Sequence, residues 1–179
     1  MKGYRISVIR HGRTAANDKG IYIGRTDFPL SDKGAAELAG KMDEFRYPNV
    51  ARVYSSPLRR CTETAEILYP NHTPIYIPEW REMDFGEFEG KNYIELQKNP
   101  NYQAWIDSNG TLPFPGGESR EEFKRRNVTG FQKAVNGCLR NGISLAALVV
   151  HGGTIMNVME EYADEDRSFY DWHEEWQGI

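Results

Sequence analysis

Three short apolar runs, each emptying at once into a turn rich in histidine, arginine, serine or glycine, constrain this chain most. The runs are residues 5–9 (RISVI), 52–55 (RVYS) and 144–150 (SLAALVV); the turns are Arg10-His11-Gly12, Ser56-Pro57-Leu58-Arg59-Arg60 and His151-Gly152-Gly153-Thr154. Apolar stretches of this length, bounded by turn residues, read as β-strands, and the last is apolar enough to be central and covered on both faces. Helical spacing lies between them. Residues 31–45 carry small or apolar side chains at Ala35, Leu38, Ala39, Met42 and Phe45, and residues 57–68 open with proline in a first turn. Strands alternating with helices predict an α/β fold, a doubly wound, mostly parallel sheet flanked by helices, with the three strands as parallel neighbours. In such sheets the carboxyl ends of the strands line the ligand crevice, so the three polar turns are expected on one side of the molecule.

The remaining segments complete this outline. Residues 92–109 predict one or two short helices, and the loop 112–117 (LPFPGG) leads to Ser119-x-x-Glu122, a capping box opening a long helix to about Gly137. The stretch 80–118 is expected to form a small helical cap beside the crevice. A chain of 179 residues with no repeat and no linker reads as one domain over 1–179. Cys61 and Cys138 have neither framework nor metal-ligand spacing and read as small buried hydrophobes.

Charge narrows the partners. A formal net charge of −4 repels nucleic acid and anionic membrane surfaces on average, so anion binding has to come from a local cluster of cations. No stretch is apolar enough for a signal peptide or a membrane span, and a cytoplasmic location is expected. Arg-His-Gly alone is a common string, equally compatible with a surface turn. The other two turns change this: Arg60 falls in the first turns of a helix whose N-terminus already favours anions, and the glycines after His151 let backbone N–H groups approach a ligand. Arg59 adjoins Arg60, but the Leu-x-Arg spacing selects Arg60 and leaves Arg59 as a solvated helix charge. Histidines 11 and 151 lack a third ligand at metal spacing, and two arginines would repel a cation, so neither a metal nor another cofactor is expected.

Together these turns resemble the histidine phosphatase (phosphoglycerate mutase-like) family. Arg10-His11-Gly12 is similar to its nucleophile signature, Ser56-Pro57-Leu58-Arg59-Arg60 to its second-arginine signature, and His151-Gly152 to its second histidine. Trp80-Arg81-Glu82-Met83-Asp84-Phe85-Gly86-Glu87-Phe88-Glu89-Gly90 resembles the segment bearing the proton donor, which maps to Glu82. Residues 24–34 (GRTDFPLSDKG) and 115–119 (PGGES) extend the likeness, which runs from about Arg5 to about Thr154 in family order.

The resemblance implies a phosphoglycerate mutase-like fold and phosphoryl transfer through His11, with Arg10, Arg60 and His151 around the phosphate and Glu82 as acid. Asn17, Ile23, Gly24 and Gly152 are the substrate-side candidates. The residue types suit this chemistry: arginine forks match phosphate oxygens, neighbouring guanidinium groups keep His11 neutral, and a backbone carbonyl accepting from its other ring nitrogen would fix the tautomer.

The expected function is hydrolysis of a small phosphorylated metabolite. Length favours a phosphatase over a mutase, and Ile23-Gly24-Arg25 stands where the mutases carry a small hydroxyl residue, glycine and tryptophan. PGGES and Tyr170-Asp171-Trp172-His173 bring the chain nearest to members acting on α-ribazole 5′-phosphate. A phosphoglycerate mutase, a broad sugar-phosphate or fructose-bisphosphate phosphatase, and a non-catalytic phosphate-binding module are the alternatives, and a homodimer is left open. The end at Trp176-Gln177-Gly178-Ile179 implies a missing edge strand relative to the family. The bland readings stand beside these: Arg13 and Arg25 as surface ion pairs, His72 and His173 as surface residues, and Trp80, Phe85, Phe88, Trp105 and Phe114 as packing.

Overall fold

In a computed structural model, which describes residues 3–44, 47–164 and 169–172, the three apolar runs become strands of one parallel sheet. Strands β1 (Arg5–Arg10), β2 (Arg52–Ser55), β3 (Ile75–Tyr76) and β4 (Leu145–Val150) lie in the order β1-β4-β2-β3. Central β4 is buried from Ala146 to Val150, as a strand covered on both faces must be.

Side chains alternate along β4 with period two, and this sorts the core into two layers. Ala146, Leu148 and Val150 face Tyr54, Ile77, Trp80, Ala134, Cys138 and Ile155. Ala147 and Val149 point the other way, against Leu38, Val53, Cys61, Ala65 and Leu68. The first layer is roofed by α5 (Arg120–Arg140) and α6 (Gly152–Tyr162), the second by α1 (Asp32–Glu44) and α2 (Arg59–Leu68). Both cysteines are buried, as expected of small hydrophobes. Each fully buried aliphatic side chain contributes about 1.5–3 kcal/mol by leaving water, so these layers account for much of the fold's cohesion.

A third apolar cluster lies under the segment between β3 and α5. Met83, Phe88, Leu96, Phe114 and Phe123 form its centre, with Tyr22, Phe85, Tyr102 and Trp105 against it. Phe88 meets Phe114 edge to face, 5.7 Å apart at 87°, and Tyr102 stacks on Trp105 at 19°, both arrangements that ring quadrupoles favour. The short helices above it, α3 (Tyr93–Leu96) and α4 (Pro100–Asp107), are separated by caps. Asn92 accepts from the N–H groups of Ile94 and Glu95, Asn99 from those of Asn101 and Tyr102, and Pro100 starts the second helix. The expected capping box at Ser119 and Glu122 opens α5, which runs on to Arg140.

His72 is half-buried rather than a partnerless surface residue: its Nε2 lies 2.9 Å from the Val50 carbonyl and its ring meets Tyr69. Phe45, His173 and residues 176–179 lie outside the described residues. Among the described residues no helix is long and apolar enough to cross a membrane.

Candidate active site

Strand register brings the polar turns together. Arg10 pairs with Val150 and Ser55 with Val149, so the ends of β1, β4 and β2 lie level. Each chain then leaves the sheet at the next residue. The His11 N–H donates to the Val150 carbonyl and the Ser56 N–H to the Val149 carbonyl, both at 3.0 Å. His11, His151 and Ser56 therefore emerge side by side, although they are far apart in sequence. The two imidazoles sit with ring centroids 5.1 Å apart at 66°.

Fixed hydrogen bonds orient each ring. His11 Nδ1 lies 2.7 Å from the Gly12 carbonyl, which can only accept, so the proton resides on Nδ1 and Nε2 presents a lone pair. The Gly12 N–H is in turn held by the Thr64 hydroxyl on α2 at 3.0 Å. His151 is fully buried at the N-cap of α6, with Nε2 2.9 Å from the Ser56 hydroxyl and Nδ1 3.8 Å from Glu82 Oε2. The Cys61 thiol completes its wall.

Arg60 is buried in the first turn of α2, held by two carbonyls. Its NH2 donates to Gly24 O at 2.9 Å and its NH1 to Thr26 O at 3.0 Å. The loop offering those carbonyls is itself clamped by Glu89. Its carboxylate accepts from the Gly24 N–H at 2.9 Å, the Thr26 N–H at 2.9 Å and the Thr26 hydroxyl at 2.7 Å. Asp27 then accepts from the Arg59 N–H at 2.6 Å and caps α2. Arg10 ends β1 and lies beside the α6 N-terminus: a side chain on Gly152 would begin 3.6 Å from Arg10 Nε. Gly153 is a close approach of another kind. A Cβ there would fall 2.7 Å from the Phe123 ring and 3.0 Å from Glu82 Oε1.

Electrostatics follow from this crowding. Burial, then Arg60 and Arg10, push the His11 pKa down to about 3 against the Gly12 bond that raises it, so the ring is neutral near pH 7. His151 is held well below the ordinary imidazole value by burial, His11 and the surrounding arginines. Glu82 moves the other way, raised by burial against the Met83 N–H, Arg60, Arg126 and Arg10. A neutral nucleophilic nitrogen, a carboxyl biased toward its acid form and two guanidinium groups are thus assembled at one end of the sheet, where helix α6 also begins. That set can bind a tetrahedral oxyanion and move a proton.

The chain's sequence matches the model of the histidine phosphatase superfamily (branch 1) over residues 6–174. The chain belongs to that superfamily. A provisionally named phosphoserine phosphatase 2 from Hydrogenobacter thermophilus is 33% identical over 156 residues, 84% of this chain and 74% of that protein. An adenosylcobalamin/α-ribazole phosphatase from Salmonella typhimurium is 34% identical over 68% of this chain, and the match spans 62% of that protein. Among solved structures, a provisionally named α-ribazole-5′-phosphate phosphatase from Escherichia coli shares the fold, with a TM-score of 0.79, 23% identity and coverage of 94% of this chain and 84% of that one. Phosphoglycerate mutase from Thermus thermophilus gives a TM-score of 0.67 at 28% identity, covering 89% and 85%. The parallel α/β sheet read from the strand and helix alternation, and the phosphoglycerate mutase-like fold that the resemblance implied, are thereby shown.

Of the candidate site residues, Arg10, His11, Arg60, Glu82, His151 and Gly152 converge. Gly24 belongs to the site through its carbonyl on Arg60, since its N–H is taken by Glu89. Asn17 is exposed, its Oδ1 accepting from the Thr14 N–H and hydroxyl at 2.9 Å, and half-buried Ile23 precedes the clamped loop. Arg13 pairs with Asp18 and Arg25 with Asp84. Glu89, Thr64 and Arg126 act on the site without having stood out in the sequence. Two clefts adjoin these residues, of about 350 and 360 Å³, both lined by Arg25 and Arg126; the catalytic candidates line neither. Among the described residues no three His, Cys, Asp or Glu side chains gather as metal ligands would.

Proposed function

We propose that this histidine phosphatase superfamily member hydrolyses small phosphomonoesters through a phosphohistidine on His11. The observation that carries the reading is the Nδ1 bond from His11 to the Gly12 carbonyl, which leaves Nε2 unprotonated among two arginines. The Nε2 lone pair forms a bond to phosphorus as the ester P–O bond breaks. Arg10, Arg60, His151 and the Gly152 N–H hold the equatorial oxygens, where charge spreads in the transition state. Glu82 gives its proton to the leaving oxygen. Its carboxylate then takes a proton from the water that attacks phosphorus, the N–P bond breaks, and phosphate leaves. In this reading the segment 80–118 acts as a cap, and Asn17, Ile23 and Gly24 border the substrate.

Hydrolysis is favoured over mutase action by the Ile23-Gly24-Arg25 run. α-Ribazole 5′-phosphate is the first substrate to try, on the strength of relatives so named; phosphoserine, sugar phosphates and phosphoglycerates follow. The test is chemical. Turnover is expected to leave acid-labile, base-stable phosphate on the wild-type protein, and His11→Ala is expected to lose both this label and hydrolysis of an aryl phosphate. Substantial residual turnover in that variant removes His11 from its role.

A further inference from the structure

Arg126 is remote from the reacting groups in sequence, yet it holds the backbone of the segment that carries Glu82. It sits on α5 with its side chain 23% exposed, and its guanidinium makes five hydrogen bonds, matching its five N–H donors. Two go to Glu118, Nε to Oε1 at 2.6 Å and NH2 to Oε2 at 2.7 Å. The others go to carbonyls of the acid-bearing segment: Glu79 at 2.7 Å, Arg81, and Glu82 itself at 3.0 Å. The plane also lies over the Phe123 ring, 4.8 Å from its centroid. Glu118 is tied to the same segment from the other side, its N–H donating to the Asp84 carbonyl at 3.0 Å.

These bonds bracket the proposed acid. Glu82 has one local side-chain anchor, the Met83 N–H at 3.0 Å, and its other oxygen faces His151. The direction of its carboxyl is therefore set by the backbone between Glu79 and Asp84. We propose that Arg126, paired with Glu118, is the positioning residue that fixes the Glu82 carboxyl for proton donation to the leaving group. This rests on the proposed acid role of Glu82. Three carbonyls on one planar fork give a geometry that an ammonium on a flexible stem cannot reproduce. Arg126 also joins Arg60 and Arg10 in lowering the Glu82 pKa against burial, while His151, the Cys61 thiol and the Phe123 ring complete the surroundings.

The test compares kcat/KM for an alkyl phosphate, β-glycerophosphate, with that for p-nitrophenyl phosphate, whose leaving group needs little protonation. Arg126→Lys, which keeps the charge but loses the fork, is expected to lower the alkyl-to-aryl ratio about tenfold, in parallel with a larger fall in Glu82→Gln. Arg126→Gln removes the cation as well, so the pH above which alkyl hydrolysis declines is expected to rise. Circular dichroism and melting temperature establish that each variant is folded. A merely structural arginine would lower both substrates equally, so an unchanged ratio in folded Arg126→Lys, with the ratio reduced in Glu82→Gln, overturns the inference and leaves the acid role standing. An unchanged ratio in Glu82→Gln removes the acid role and the inference with it.

Discussion

Replacing His11 by asparagine should change how stability depends on pH. The native imidazole has its pKa near 3 because burial and two guanidinium groups oppose its charge, whereas in the unfolded chain it titrates near 6.5. As pH falls below 6.5 the unfolded state takes up a proton that the native state refuses, so the native state loses stability until about pH 3. From those two values the loss is about 2 kcal/mol at pH 5 and close to zero at pH 7.5. Asparagine can still donate to the Gly12 carbonyl but does not titrate. Relative to wild type, His11→Asn should therefore be about 2 kcal/mol more stable at pH 5 than at pH 7.5. For a chain of this length that corresponds to roughly 4–8 °C in melting temperature. Urea unfolding of both proteins at the two pH values measures the double difference, in which groups common to both largely cancel. A difference that stays constant within about 0.5 kcal/mol refutes the claim that the fold suppresses protonation of His11.

Two further outcomes follow from contacts around the site. Glu89→Gln leaves the clamped loop with a weaker acceptor for the Gly24 and Thr26 donors, and a lost charge-assisted bond of about 1.5 kcal/mol should weaken inhibition by vanadate roughly tenfold through a loosened Arg60; unchanged vanadate affinity would disprove the clamp. Gly153→Ala sets a methyl against the Phe123 ring and Glu82, and should destabilise the protein by about 1–3 kcal/mol in denaturant titration; a variant as stable as wild type would mean the α6 start is free to shift.

What could be read from the sequence had a local cause. Strands β1, β2 and β4 announce themselves because burial requires continuous apolar runs, and His11, Arg60 and His151 stand immediately after them or in the first turn of the helix that follows. Strand β3 has no such mark: Ile75 and Tyr76 are both exposed, and they form a strand only because β2 offers a free edge. The long helix passes Gly137, where a stop was expected, because that glycine makes room for the Tyr54 hydroxyl; the turn comes at Asn141 and Gly142, where φ is 63°. Residues 92–109 read as one or two helices, and the structure makes them two because Asn99 caps and Pro100 starts the second. Arg126 and Glu89 were illegible for a different reason. Their partners are backbone groups 44–47 and 63–65 residues away, and a charged residue meeting distant carbonyls or N–H groups looks like any solvated charge until the chain is folded.

The strand order carries a consequence for synthesis. β1 leaves the ribosome long before its partner in the described sheet, β4, which is made some 140 residues later. Until β4 is made, β1 lacks the strand it pairs with, and the segment bearing His11 waits unpaired. Pairing so distant in sequence is slow to form and leaves apolar edges uncovered meanwhile. An interrupted translation product ending before Leu145 would thus carry the attacking imidazole with neither its sheet nor its second histidine, and would be prone to aggregate rather than to act on phosphate esters.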